Sequence, residues 1–147
     1  MPIKTFRGLI ADSTQDTIVL HTNNGSTGYR IIKFELFNND PGGNDTEHVV
    51  KIFKIDGKAL NNLVDFSDNT LLAAGFIGNS TQATAYPPLA SVIFDGEIFN
   101  QDIYVIHRSE GTAQPINYYI ELETIKLDLN ENTVATLKDI RNETLTV

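Results

Sequence analysis

Apolar side chains recur at every second position along most of this chain, in short runs separated by Gly, Asn, Asp and Pro. That period belongs to strands with one buried face. IKTFRGLIAD and DTIVLHT predict two strands around a polar turn at Asp12–Gln15, and NNGSTG ends the second with an Asn-Gly step that tolerates positive φ. YRIIKFELFN predicts the clearest strand of the first half, NNDPGGND a loop, and HVVKIFKI a strand alternating around Lys51 and Lys54. In DGKALNNLVDF the period changes: Leu60, Leu63 and Val64 fall at helical spacing and predict one or two turns of helix.

TLLAAGFIG predicts a further strand. The YPPL segment beyond it is a loop or an edge, because proline cannot donate to a ladder. SVIFD and QDIYVIHR predict strands on either side of GEIFN, with a turn at Asp95-Gly96. INYYIELETIKLDL predicts the longest strand, and NENTVATLKDIRN a C-terminal helix, with Val134, Leu137 and Ile140 on one face and a cap at Asn130 or Asn132. The expected fold is all-β: an antiparallel two-sheet sandwich, jelly-roll-like, with a short helix after residue 56 and a C-terminal helix. At 147 residues it is expected to form a single domain over 1–147.

One phase change stands out. Ile120 and Leu122 share a parity that Ile125, Leu127 and Leu129 do not, so a continuous strand would turn one apolar set outward. A bulge near Thr124 restores the face, and burial against a second subunit is the other remedy.

Composition narrows the function. Cysteine is absent, which excludes a disulfide framework, thiolate metal sites and a cysteine nucleophile. Against 19 acidic residues there are 11 basic ones, scattered singly, so no surplus is available to neutralise phosphates and direct nucleic-acid binding is not expected. MPIKTFRGLIADS lacks the apolar stretch of a signal peptide, and no apolar run approaches the roughly 18 residues that span a bilayer. No membrane partner is expected.

Candidate chemistry is thin. Glu121 and Glu123 share a strand face and are read as a solvated face opposite Ile120 and Leu122. Asp128, Asn130, Asn132 and Asp139 fall at the first, third, fifth and twelfth positions of an EF-hand loop. Thr133 stands where that loop needs glycine, and Asp139 where it needs a bidentate Glu. Neither a metal nor another cofactor is expected. His107 lies beside Arg108 and Ser109, but neighbours on a strand face opposite ways and form no ready triad. With His21 and His48 it is read as a surface imidazole near a strand end, and no catalytic residue is assigned. The Gly-rich loops lack a Gly-Lys-Ser/Thr step. The Asn-x-Ser/Thr sequons at Asn24, Asn44, Asn79 and Asn142 follow from loop composition. For contacts with other molecules the candidates are Ile3, Phe6, Tyr86, Pro87, Pro88 and Leu89; Tyr104, Tyr118 and Tyr119 are the aromatics that a ligand-binding strand face would use.

The wording of GYRIIKFELF, VVKIFKI, FSDNTLLAAG, FDGEIFNQDIYV, NYYIELE and KLDLNENTVATLKDIRN, from Gly28 to Asn142, resembles virion structural proteins of marine tailed bacteriophages. The resemblance implies a particle component in the virion, assembled in the host cytoplasm. Its partners would be the major capsid protein or tail proteins, and self-association into a homo-oligomer is compatible with it. A head decoration (cement) protein is the expected role. A tail-associated or fibre-type module contacting host glycan is the alternative. The resemblance carries no catalytic or ligand residues with it.

Overall fold

A computed structural model describes residues 2–22, 24–82, 89–94 and 97–128. They form eight strands: β1 (Ile3–Ile10), β2 (Thr14–Ile18), β3 (Thr27–Asn38), β4 (Thr46–Phe53), β5 (Leu71–Asn79), β6 (Leu89–Ile93), β7 (Ile103–Gly111) and β8 (Ile116–Lys126). All pairings are antiparallel. One sheet has the order β1-β8-β3 and the other β2-β7-β4-β5-β6.

The first two strands enter different sheets, so the turn at residues 11–13 is a corner and not a hairpin. Ser13 takes a positive φ there, donates its N–H to the His107 carbonyl and accepts from Arg108 through its hydroxyl. The inward faces of both sheets meet in one core. Ile10, Phe34, Leu36, Ile116, Ile120 and Leu122 come from one sheet, and Val50, Ile52, Ala73, Ile77, Ile103 and Val105 from the other. Gly75 permits this approach, because a Cβ there would stand 2.9 Å from the Phe34 ring and 3.0 Å from Leu36. On the edge strand β1, the ring of Tyr118 lies under Gly8 and fills the space a side chain would occupy.

The five-stranded sheet buries its other face too. Phe53, Leu71, Ala74 and Ile106 form a second cluster there, with Phe94 against it. Residues 54–70 provide much of the cover. Lys51 reaches across to the Leu63 carbonyl (2.6 Å) and to Asn61 (3.1 Å), and Phe66 meets Phe94 edge to face.

The helix expected after residue 56 does not form; residues 54–70 are irregular. Three side chains capture the backbone N–H two residues on: Asn61 takes Leu63, Asp65 takes Ser67 and Asp68 takes Thr70. Such Asx turns compete with helical hydrogen bonds. The helical spacing of Leu60, Leu63 and Val64 is coincidental, since all three are exposed. The C-terminal helix and Leu129 lie outside the described residues.

The expected bulge is displaced. β8 pairs regularly with β1 up to Glu123 and with β3 past Thr124, and the register shift falls in β3, between Ile31 and Lys33. Tyr29 and Ile31 point inward before it, Phe34 and Leu36 after it, and Ile32 is the extra residue, turned to solvent. In β8 the apolar phase ends with the strand: Ile125 is half-buried, and Leu127 packs under Gly28 after β8 has finished.

Candidate functional site

The strongest cluster of chemistry-bearing groups is buried. His48 on β4 has the parity of Val50 and Ile52, and His107 on β7 that of Ile103 and Val105, so both imidazoles point into the space between the sheets. They are 2% and 1% exposed, stack at 5.1 Å, and join His48 Nδ1 to His107 Nε2 at 2.9 Å. This corrects the reading of both as surface imidazoles. The signal was in the strand phase, which outranks the general preference of histidine for partial exposure.

Geometry assigns the protons. His107 Nδ1 lies 3.1 Å from the Ala11 carbonyl, which can only accept, so that nitrogen carries a hydrogen. Neutral His107 then accepts at Nε2, and His48 donates from Nδ1. Burial is the main reason both rings resist protonation. The His48 pKa is lowered to about 4, with the neighbouring His107 adding to the effect and Asp12 opposing it. His107 is lowered for the same reason, against the pull of the Ala11 carbonyl and Asp12.

Burial raises the Asp12 pKa, but the Ser109 N–H at 2.7 Å, its hydroxyl and nearby Arg108 outweigh that and hold the carboxyl below its usual range. Asp12, held by Ser109, thus acts electrostatically on the stacked pair of histidines. The surface clefts at Arg7–Tyr119, Lys51–Asp68 and Asp45–Gly111 are lined by neither imidazole. The arrangement supports the corner between β1 and β2. His21 is exposed and contacts Asp102 at 2.7 Å, which also accepts the Leu20 and His21 N–H groups.

The second cluster is the cleft under residues 54–70, about 180 Å³, lined by Lys51, Phe53, Lys58, Asp65 and Asp68 among others. Lys58 sits 2.7 Å from Asp68 and over the Phe53 ring. Burial lowers the Lys51 pKa, partly countered by Asp68. These charges hold the loop to the sheet.

Glu121 and Glu123 do share the outer face of the three-stranded sheet, but they are not equally solvated. Glu123 is buried against Arg30, while Glu121 accepts from the Tyr119 hydroxyl at 2.6 Å. Among the described residues, no three His, Asp or Glu side chains gather as metal ligands. Asp128 is exposed, and Asn130, Asn132 and Asp139 lie outside the described residues. The Asn79 sequon is inaccessible: its buried amide donates to the Asp40 carbonyl and accepts from Gly42, closing the 39–45 loop.

The three tyrosines part ways. Tyr118 is buried and bonded to Asp16, Tyr119 is on the outer face of the three-stranded sheet, and Tyr104 is on the outward parity of the other sheet. Tyr119 does line an open groove of about 520 Å³ with Arg7, Leu9, Glu35, Phe37 and Asn117, and Phe37 is 68% exposed. Of the contact candidates, Ile3 is exposed at the start of β1 and Phe6 packs against the core. Leu89 is 63% exposed at the start of β6, while Tyr86, Pro87 and Pro88 lie outside the described residues. The sequence reading passed over the exposed apolar side chains of residues 60–66, with Leu63 at 73%.

Models of known protein families and curated proteins offer no match to this chain.

Proposed function

We propose that this chain is a virion structural protein, a head decoration (cement) protein that joins neighbouring capsid subunits through its strand edges and loops. The observation that carries this reading is the strand pairing. The first strand pairs with the last, the second with the last but one, and the two central strands with each other, as in a long hairpin rolled up on itself. That is the pattern of a jelly roll, an architecture common in viral capsid and lectin domains. In a regular roll β6 would lie beside β3; here it joins β5 instead. The distribution of groups also supports the reading: the titratable cluster is sealed in the interior, whereas Leu63, Phe66, Phe37 and Leu89 are exposed. Fold alone does not determine function, so the test is direct. Electron microscopy of purified particles is expected to place copies of this protein on the shell lattice. A shell without them rejects the cement role, and a few copies at one vertex move the protein to the tail.

The groove beside Tyr119 favours a second reading, a fibre-type module for host glycan. Exposed rings can stack on sugar faces, and Arg7, Glu35 and Asn117 supply polar partners for hydroxyls. A glycan array with wild type and Phe37→Ala tests it: loss of a specific signal in the variant supports the reading, and no binding by wild type removes it.

A further inference from the structure

Among the described residues, four strands end the two sheets: β1 and β3 in one, β2 and β6 in the other. Exposed edges invite pairing with other chains, and proteins protect them with charges, bulges or cover. Three of these four are protected in that way. β1 carries Lys4 and Arg7, β2 carries Asp16, and β3 carries Arg30, Lys33 and Glu35 together with its bulge. β6 reads LASVI, with no charge, no proline and no bulge, and Leu89 to Val92 are all exposed.

The backbone shows which groups this edge offers. Phe94 donates its N–H to the Leu72 carbonyl at 3.0 Å, which fixes the phase of the ladder between β5 and β6. Bonded and non-bonded pairs alternate along antiparallel strands. Val92 and Ala90, opposite Ala74 and Phe76, therefore direct their backbone groups into the sheet. Leu89, Ser91 and Ile93 direct theirs outward, where they meet no backbone partner among the described residues. The side chains of these three lie on the inward parity, opposite Ile77, Gly75 and Ala73. Ile93 reaches the core, whereas Leu89 stays largely bare.

We propose that β6 is a self-association edge: two copies of the chain pair antiparallel through Leu89–Ile93 about a two-fold axis at Ser91, joining their five-stranded sheets into one. The outward groups are symmetric about Ser91, so Leu89 of each copy meets Ile93 of the other and Ser91 meets Ser91. Each outward N–H then finds an outward carbonyl. Leu89 gains an apolar neighbour in Ile93 of the second copy. The charge pattern selects a second copy as the occupant: β1 carries only positive charges and β2 only a negative one, so either edge paired with its own copy brings like charges into the seam, and β3 is interrupted by its bulge, while β6 has no charge to oppose. The inference stands on this edge alone and does not require the particle reading.

The test combines sedimentation of the full-length protein across a concentration series with residue-resolved amide hydrogen exchange. The amides of Ala90 and Val92 are expected to exchange slowly at every concentration. Those of Leu89, Ser91 and Ile93 should gain protection in step with dimer formation. Ser91→Pro removes an N–H that points away from β5, so the fold stays while dimerisation weakens by more than about tenfold. Ser91→Lys, which adds a charge to the seam, should do the same. A wild type that stays monomeric overturns the proposal, as does a dimer that survives both substitutions. Protection of the three amides in a monomer, independent of concentration, also overturns it, because the chain's own remaining segments would then cover the edge.

Discussion

The two sheets solve the same burial problem differently. In the three-stranded sheet β8 alternates buried and half-buried residues through Leu122, and its outer face is a set of cross-strand rows: Leu9, Asn117 and Phe37, then Arg7, Tyr119 and Glu35. In the five-stranded sheet nearly every residue of β4 and β5 is buried, because residues 54–70 cover the second face. Near-continuous apolar runs are usual for parallel strands covered by helices. Here an irregular loop gives an antiparallel pair the same environment. One sheet is thus a wall with a bare side and the other is the centre of the molecule.

The sharpest way to break this comparison is to cut a side chain on the covered outer face. Ile106→Ala should cost about 2–5 kcal/mol in urea unfolding, as for a core position, since Ile106 is buried within the second cluster. A cost near zero would mean that the loop does not seal that face.

Acid provides the next test, aimed at the space between the sheets. The folded pKa of His48 is depressed to about 4 from 6.5, so between those values the unfolded chain binds more protons. The stability from this site is fully present above pH 6.5 and falls as pH drops towards 4, by on the order of 2 kcal/mol. His107 acts in the same direction. Asp12, Asp45, Asp65, Asp68 and Asp102 are depressed from 3.8, so their contributions are lost only at lower pH, leaving the upper window to the histidines. Urea midpoints measured between pH 7 and 4 check the sign.

Smaller effects sharpen the contrast. Lys51→Met should cost about 1–3 kcal/mol by leaving the Leu63 carbonyl without its donor, and limited proteolysis within residues 56–69 should accelerate. Phe37→Ala, on the bare face, should stay within about 0.5 kcal/mol in the same unfolding assay.

Much of the architecture was legible in the chain. The alternation of INYYIELETIK placed β8, the runs in HVVKIF and TLLAAGFIG placed β4 and β5, and Asn-Gly and Pro-Gly-Gly marked loops. Phase alone did not say which strand of a pair carries the bulge. The flip between Ile31 and Phe34 in YRIIKFELF was as readable as the one after Leu122, and the bulge formed at the former. The histidines were misread because residue type was weighed above strand parity. The neutrality of LASVI was visible too, but its position at a sheet edge is a property of the topology, which a single strand does not encode.

In the role proposed above, the protein docks its exposed surfaces on neighbouring protein. Hydroxyl-radical footprinting of the free chain and of the chain in assembled particles tests this directly. Protection in the particle at Leu63, Phe66 or Phe37, or along Leu89–Val92, is the predicted result. Equal labelling of all these positions in both states would contradict it.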